Sequence, residues 1–245
     1  MAPRLYDELV DWYPLIDPLE DHADEAEAFR AMFAAAGVPD GELLELGAGA
    51  GNNAFYLGQI FRCTLSDLSP EMLARSQAQN PNAPHHLGDM RTLRLGRTFD
   101  AVLMHDAVCY LLTEADVRAA LTTVFLHLRP GGVAIVAPDA VADTFYEGTE
   151  LHEADDGARS LRCLAWSWDP DPTDHRCVVD YVFVLRDGVE VSVVHDRHDE
   201  GLFSIEAWER LFAEVGFTVT RVTHDFVEED MPGYAGFVFV ATRPS

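Results

Sequence analysis

The chain has 245 residues, 48% of them hydrophobic, enough to bury one sizeable core and characteristic of a globular protein. Forty-two acidic residues against 17 basic ones give a net charge of −25, which repels phosphate backbones and anionic lipid and argues against nucleic-acid and membrane partners. All 17 basic residues are arginine, so a Schiff-base lysine, a Walker A lysine and a Ser-Lys dyad are excluded.

Residues 5–16 mix Tyr6, Leu9, Val10, Trp12 and Tyr13 with acids, which predicts a short amphipathic helix ending near Pro14 and suited to a lid. Asp21 is placed to cap a helix with Ala26, Phe29, Phe33 and Ala36 on one face and Gly37 as its stop. The apolar alternation over 43–46 then reads as a buried parallel strand running into Gly47-Ala48-Gly49-Ala50-Gly51-Asn52-Asn53 and a further helix. Three glycines at alternate positions let the backbone turn sharply with no Cβ in the way, so a flat ligand can lie against bare backbone. The spacing is G-x-G-x-G, with Asn52 where the dinucleotide fingerprint has its third glycine, and this points away from a pyrophosphate cofactor.

A second strand over 63–65 ends at Ser66-Asp67-Leu68. Asp67 lies 20 residues beyond Gly47, the separation at which an acid at a strand tip reaches a ribose diol. Ser69-Pro70-Glu71 opens a helix with serine as cap and proline at its first position. A third strand at 85–87 leads to Gly88-Asp89-Met90, and a fourth over 99–104 to His105 and Asp106. Thr113 and Asp116 form a capping box for a helix that carries Val117, Leu121, Val124 and Leu128 inward and closes at Arg129-Pro130-Gly131-Gly132, before a fifth strand over 133–137. Strands alternating with helices describe an α/β fold with a doubly wound parallel sheet, whose ligands sit beyond the carboxyl ends of the strands. Gly47, Asp67, Asp89 and His105 all fall at such ends.

From 138 to 201 the pattern turns to β. Residues 161–168 alternate, and 176–186 and 189–200 flank a two-residue Asp187-Gly188 turn that sets Asp180 opposite His195 and Cys177 opposite His198. Asp196 and His198 then share one face and His195 the other, with Asp180 and His195 as a structural pair. His195 and His198 cannot serve one metal without distortion, and Cys63, Cys109, Cys163 and Cys177 form no C-x-x-C pair, so neither a metal site nor a disulfide framework is expected. Trp166, Trp168, Tyr181 and Phe183 either wall an acceptor pocket or belong to a core. Ser204 caps a helix with Trp208, Leu211, Phe212 and Val215 inward and Gly216 as its stop, and strands over 217–222 and 237–241 pair as an antiparallel edge.

The ordered set ELGAGAG, LSDLSPEML, GDM, FDAVLMHDAVCYL and LRPGG resembles the class I S-adenosylmethionine-dependent methyltransferases over residues 41–137. Tyr6-Asp7, Val108-Cys109-Tyr110-Leu111 and the run from Asp196-Arg197-His198 to Leu202-Phe203 are similar to features of the dTDP-amino-sugar N-methyltransferases. The resemblance implies a Rossmann-like seven-stranded sheet with a reversed last strand, residues 41–137 and 202–245 forming the cofactor domain, 1–40 a helical lid, and 138–201 a β-rich lid over the acceptor. It places Gly47, Gly49 and Gly51 under the methionine part of S-adenosylmethionine, Asp67 at the ribose, and Asp89 and Met90 at the adenine, with Glu45, Ala48, Leu68, Met72, Tyr6, His22 and His105 completing the cofactor site. His105-Asp106 and Met231-Pro232-Gly233 stand where the sugar enzymes have small or apolar residues and a Pro-Ser-Gly run.

The expected activity is methyl transfer to a small-molecule amine, with an O-methyltransferase as alternative and an oxidoreductase using NAD, or a non-catalytic cofactor-binding protein, less favoured. An in-line transfer needs a positioned nucleophile and a route for one proton. His198, His105 and Asp106 are the candidates to take it, with Tyr110 orienting the acceptor. The chain lacks an 18-residue apolar run and a leader segment, which gives a cytoplasmic expectation; the expected partners are the small-molecule acceptor and a second copy of the chain.

Overall fold

Five short strands, β1 (Gly41–Leu46), β2 (Phe61–Asp67), β3 (His85–Leu87), β4 (Phe99–His105) and β5 (Leu128–Ala137), pair in parallel in the computed structural model, which describes residues 3–223 and 235–245. The Met231-Pro232-Gly233 run lies outside the described residues. A single helical turn, α1 (Tyr13–Ile16), precedes α2 (His22–Ala35); α3 (Asn52–Leu57) and α4 (Pro70–Gln79) follow β1 and β2, and α5 (Glu114–His127) connects β4 to β5. Because β-strand side chains alternate, Leu43, Leu65, Ala101 and Leu103 face Phe29 and Phe33 of α2, while Leu44, Leu46, Val102 and Met104 face Val117, Leu121 and Val124 of α5.

The chain then leaves this sheet for a separate antiparallel one, β6 (Gly148–Asp155), β7 (Arg159–Trp168), β8 (Arg176–Asp187) and β9 (Glu190–Gly201), and returns through α6 (Ile205–Val215) to β10 (Thr218–Thr223) and β11 (Phe237–Thr242). The main sheet has the order β10-β11-β5-β4-β1-β2-β3, with β11 antiparallel to both neighbours. The reversed strand is thus inserted between β5 and β10, and of the last two strands β10 alone lies at an edge. Three caps expected from the sequence are formed: the hydroxyls of Ser69, Thr113 and Ser204 accept from the backbone N–H of Met72 at 3.1 Å, Asp116 at 3.1 Å and Ala207 at 3.2 Å, whereas Asp21, itself helical in backbone, makes no side-chain cap hydrogen bond to α2.

Three local expectations are corrected. Residues 5–16 form no continuous helix: two 3₁₀ turns, Arg4–Tyr6 and Val10–Trp12, lead into α1, and Pro14 sits in its first turn, where its missing N–H costs nothing. The β8–β9 hairpin turns on Gly188 and Val189, not on Asp187 and Gly188, so Asp180 faces Arg197, Val182 faces His195, and Val179 faces His198. Gly188 has φ 57° and comes first in the turn, as a two-residue connection with one left-handed position requires. The register moves by two residues, so every side chain keeps its face, and His195 still reaches Asp180 diagonally at 2.6 Å. Finally, Trp166 and Trp168 stack on the outer face of the antiparallel sheet, and Phe183 is buried in a core with Leu5, Leu9 and Leu15 of the N-terminal segment. Tyr181, on the opposite face from Trp166 and Trp168, lines a cavity under the sheet.

Candidate active site

The glycine turn after β1 is shaped by conformations that only glycine adopts easily: Gly47, Gly49 and Gly51 have φ of 75°, 52° and 76°. A Cβ on Gly47 would lie 2.3 Å from Cβ of Ala107, and one on Gly51 2.4 Å from Oγ of Ser76. Gly51 therefore seats the turn on α4, and Gly47 seats it against the β4 loop. Asp67, at the end of β2, closes the turn from below: one carboxylate oxygen accepts from the Gly49 N–H and the other from the Ser69 N–H, both at 2.8 Å. Burial raises its pKa, and those backbone donors oppose the rise.

A cavity of about 440 Å³ opens at these strand ends. Tyr6, His22, Glu45, Gly47, Ala48, Gly49, Asp67, Leu68, Asp89, Met90, His105, Asp106 and Tyr110 line it, whereas Gly51, Met72 and His198 do not. Met72 is fully buried, its Cε 3.6 Å from where a Gly49 Cβ would be, so it supports the turn from beneath. Glu45 is 4% exposed, and its Oε2 has no hydrogen-bond partner. Burial pushes this carboxyl up to about 8, which a cationic ligand in the cavity would reverse. Both oxygens of Asp89 accept from Arg91, whose guanidinium also reaches Asp116 at 2.8 Å and holds the Asp89 carboxyl below its usual range.

At the end of β4 the chain turns through Asp106, at φ 49° and ψ −58°, near the strained γ-turn region and the only non-glycine with positive φ among the described residues. Nε2 of His105 lies 2.6 Å from Asp106 and 3.0 Å from Glu25. Burial works against its protonation, but Asp106 and Glu25 outweigh it and raise its pKa well above the ordinary histidine value. His22, paired with Asp17 at 2.7 Å and Glu25 at 3.2 Å, is pushed up to about 10 by the same partners against the burial cost. The two imidazoles are clamped cations.

His198 sits behind the wall. Its Nδ1 is 2.8 Å from the Tyr110 hydroxyl, which is 2.9 Å from the Tyr6 hydroxyl on the cavity surface; its Nε2 is 3.1 Å from Asp196, which also accepts from the Leu5 N–H at 2.8 Å. Burial lowers the His198 pKa, against the pull of Asp196, so the imidazole is neutral near pH 7. Gly201 allows this contact to form: a Cβ there would lie 2.2 Å from the Leu111 carbonyl, so its absence lets β9 press against the loop that carries Tyr110.

A second cavity, of about 360 Å³, shares Asp17, His22, His105 and Asp106 with the first and extends to Tyr181 and Glu200 under the antiparallel sheet. Cys109, Asp139 and Glu200 offer ligand atoms within 4.8 Å of one another at its rim, the one such group among the described residues. Burial, with Glu200 and Asp139 adding to it, raises the Cys109 thiol pKa well above its ordinary value. Sequence reasoning missed Glu25, Asn53, Asp139 and Glu200. Glu25 and Asn53 stand on helices whose orientation toward His105 depends on packing, and Glu200 closes a strand whose neighbours, Asp196 and His198, already mark the inward face.

A Rossmann-like sheet with a glycine turn, a strand-end acid and an unpartnered carboxylate at one cavity defines a class I S-adenosylmethionine-dependent methyltransferase. The family model described as "Methyltransferase domain" matches residues 43–132. The chain is 35% identical over 203 residues to dTDP-3-amino-3,4,6-trideoxy-alpha-D-glucopyranose N,N-dimethyltransferase of Streptomyces venezuelae, covering 82% of this chain and 85% of that one. It is 30% identical over 221 residues to dTDP-3-amino-3,6-dideoxy-alpha-D-glucopyranose N,N-dimethyltransferase of Streptomyces fradiae, covering 86% and 84%. SAM-bound CalS10, an amino pentose methyltransferase of Micromonospora echinaspora, superposes with a TM-score of 0.78 at 28% identity over 90% of this chain and 91% of that one. The chain belongs to this family of S-adenosylmethionine-dependent methyltransferases and uses that cofactor.

Proposed function

We propose that the chain methylates the nitrogen of a small-molecule amine that extends from the second cavity so that its reacting nitrogen lies at the junction with the cofactor cavity, where the two share His105 and Asp106. The observation that carries this reading is the buried Tyr6–Tyr110–His198–Asp196 chain of hydrogen bonds, which ends on the cofactor cavity wall. The unpartnered Glu45 carboxylate, the bare backbone from Gly47 to Gly49, Asp67, Leu68 and Met90 fit the cofactor, Glu45 being matched to the ammonium of its methionine part. When bound, S-adenosylmethionine supplies a methyl group activated by its sulfonium; positioning and proton removal are left to the protein.

With Asp196 accepting from Nε2–H, the neutral His198 presents an unprotonated Nδ1 to the Tyr110 hydroxyl, and Tyr6 donates in turn to Tyr110. The Tyr6 oxygen is then left as an acceptor facing the cavity, where it orients an amine N–H and passes its proton inward. His105, already clamped as a cation, holds the Asp106 turn in place and does not act as the base. The N-terminal segment and the 138–201 insertion form the two lids, and the exposed apolar outer face of the antiparallel sheet, with Leu151, Trp166, Val191 and Val193, is the surface offered to a second copy. Four free, buried cysteines support a reducing cytosol, and no helix among the described residues is long and apolar enough to cross a membrane.

Incubating the protein with S-adenosylmethionine and a panel of primary amines, alcohols and carboxylates, then locating the methyl group by mass spectrometry and NMR, tests the reading. N-methyl products are expected; methylation confined to oxygen would refute it.

A further inference from the structure

The second cavity is more acidic than an amine alone explains. Seven of its lining residues are carboxylates, and His22 and His105 balance only Asp17, Glu25 and Asp106 among them. Asp21, Asp139, Glu150 and Glu200 are left without a cationic partner among the described residues. Glu200 is 7% exposed, lines the cavity, and among the described residues makes no hydrogen bond or ion pair through its side chain. An unpartnered buried carboxylate of this kind is costly and, at the wall of a cavity, is satisfied by a ligand cation.

The wall also lacks what a phosphorylated ligand needs. Phosphate recognition rests on arginine or lysine, or on a helix N-terminus, and the helix start at this wall, that of α2, carries Asp21 and Glu25, with His22 tied to Asp17 and Glu25. The chain has no lysine, and no arginine lines the cavity among the described residues. Several arginines elsewhere are committed to other partners: Arg91 to Asp89 and Asp116, Arg118 to Glu214, Arg197 to Asp180, and Arg243 to backbone carbonyls. A pyrophosphate here would face uncompensated carboxylates.

Resting on the reading of the chain as an amine methyltransferase, we propose that its acceptor is a phosphate-free compound with at least one ammonium group beyond the nitrogen that is methylated, anchored by Glu200 and Asp139. This substrate class differs from the nucleoside diphosphate sugars that the relatives' names specify.

Calorimetry on the full chain saturated with S-adenosylhomocysteine, at about 0.15 M salt so that surface attraction is screened, compares spermidine with dTDP-3-amino-3,6-dideoxyglucose. Spermidine is expected to bind about tenfold more tightly, and Glu200→Gln and Asp139→Asn each to weaken it about tenfold with affinity for S-adenosylhomocysteine unchanged. Absence of spermidine binding, equal or tighter binding of the nucleotide sugar, or spermidine affinity unchanged in both variants would overturn the inference. N-methylation of the nucleotide sugar would do so while leaving the amine reading intact. Methylation of the panel confined to oxygen would remove the amine reading, and spermidine binding would still report on the cation site.

Discussion

Glu200 is the residue whose environment departs furthest from what its strand position announces. Burial, with Asp106 adding to it, pushes its carboxyl up to about 7 from the ordinary 4.5. A folded-state pKa above the unfolded one means that the native state holds a proton the unfolded chain has released, so stability falls as pH rises from about 4.5 through 7 and the loss is complete above that. Glu200→Gln should therefore be more stable than wild type at pH 8, by on the order of 3 kcal/mol, and close to it at pH 4.5. Urea unfolding at the two pH values checks this, and an equal difference at both would mean that the carboxyl titrates in the fold as it does in the unfolded chain. The relay gives a second expectation. If the proton passes through Tyr110 to His198, His198→Ala and Tyr110→Phe lower kcat by similar factors, about 100-fold or more, and the double variant is no slower than either. Additive losses in steady-state turnover would separate the two residues. Much of this was legible in the chain. Asp67 and the glycines are read from spacing, because turn chemistry is local. The Asp89–Arg91 pairing, the clamped state of His105 and the burial of His198 depend on side chains brought together from distant segments, which spacing does not encode.

At the level of elements, the strands and the capped helices are read from period and cap residues, since each satisfies its backbone locally. The N-terminal segment is the exception: its apolar residues look helical, but Leu5, Leu9 and Leu15 are spent on the core under the antiparallel sheet, together with Leu161, Cys163, Phe183 and Leu185. Its backbone is fastened by side chains from both sheets. Ser69 donates to the Tyr6 carbonyl at 2.7 Å, Asp196 accepts from Leu5 N–H, His152 lies 2.7 Å from the Leu15 carbonyl, and Arg159 donates to the Asp11 carbonyl at 2.8 Å. A segment held by scattered bonds instead of a helical ladder opens at low free-energy cost. Cofactor contact at Tyr6 and His22 should tighten it, so hydrogen exchange in residues 3–25 is expected to slow when S-adenosylhomocysteine binds. Unchanged exchange there, with protection gained only at the glycine turn, would show that the segment is no lid.

Across the whole molecule the charge of −25 acts on stability and on encounter in opposite senses. Like charges crowded on a folded surface repel, and salt screens that repulsion with a Debye length of about 10 Å at 0.1 M, so raising salt should stabilise the fold. The same field draws a cationic acceptor toward the acidic second cavity and speeds its capture, an effect that salt removes. Between about 0.05 and 0.3 M sodium chloride, Tm is therefore expected to rise while kcat/KM for a polycationic acceptor falls and kcat stays constant, because chemistry inside the closed site lies beyond the reach of bulk ions. A neutral acceptor methylated by the same site should show no such fall. Thermal melts and initial rates from one salt series measure both trends. If kcat/KM for the polycation were flat while Tm rose, surface repulsion would be present without steering, and the carboxylates of the second cavity would act only at contact range.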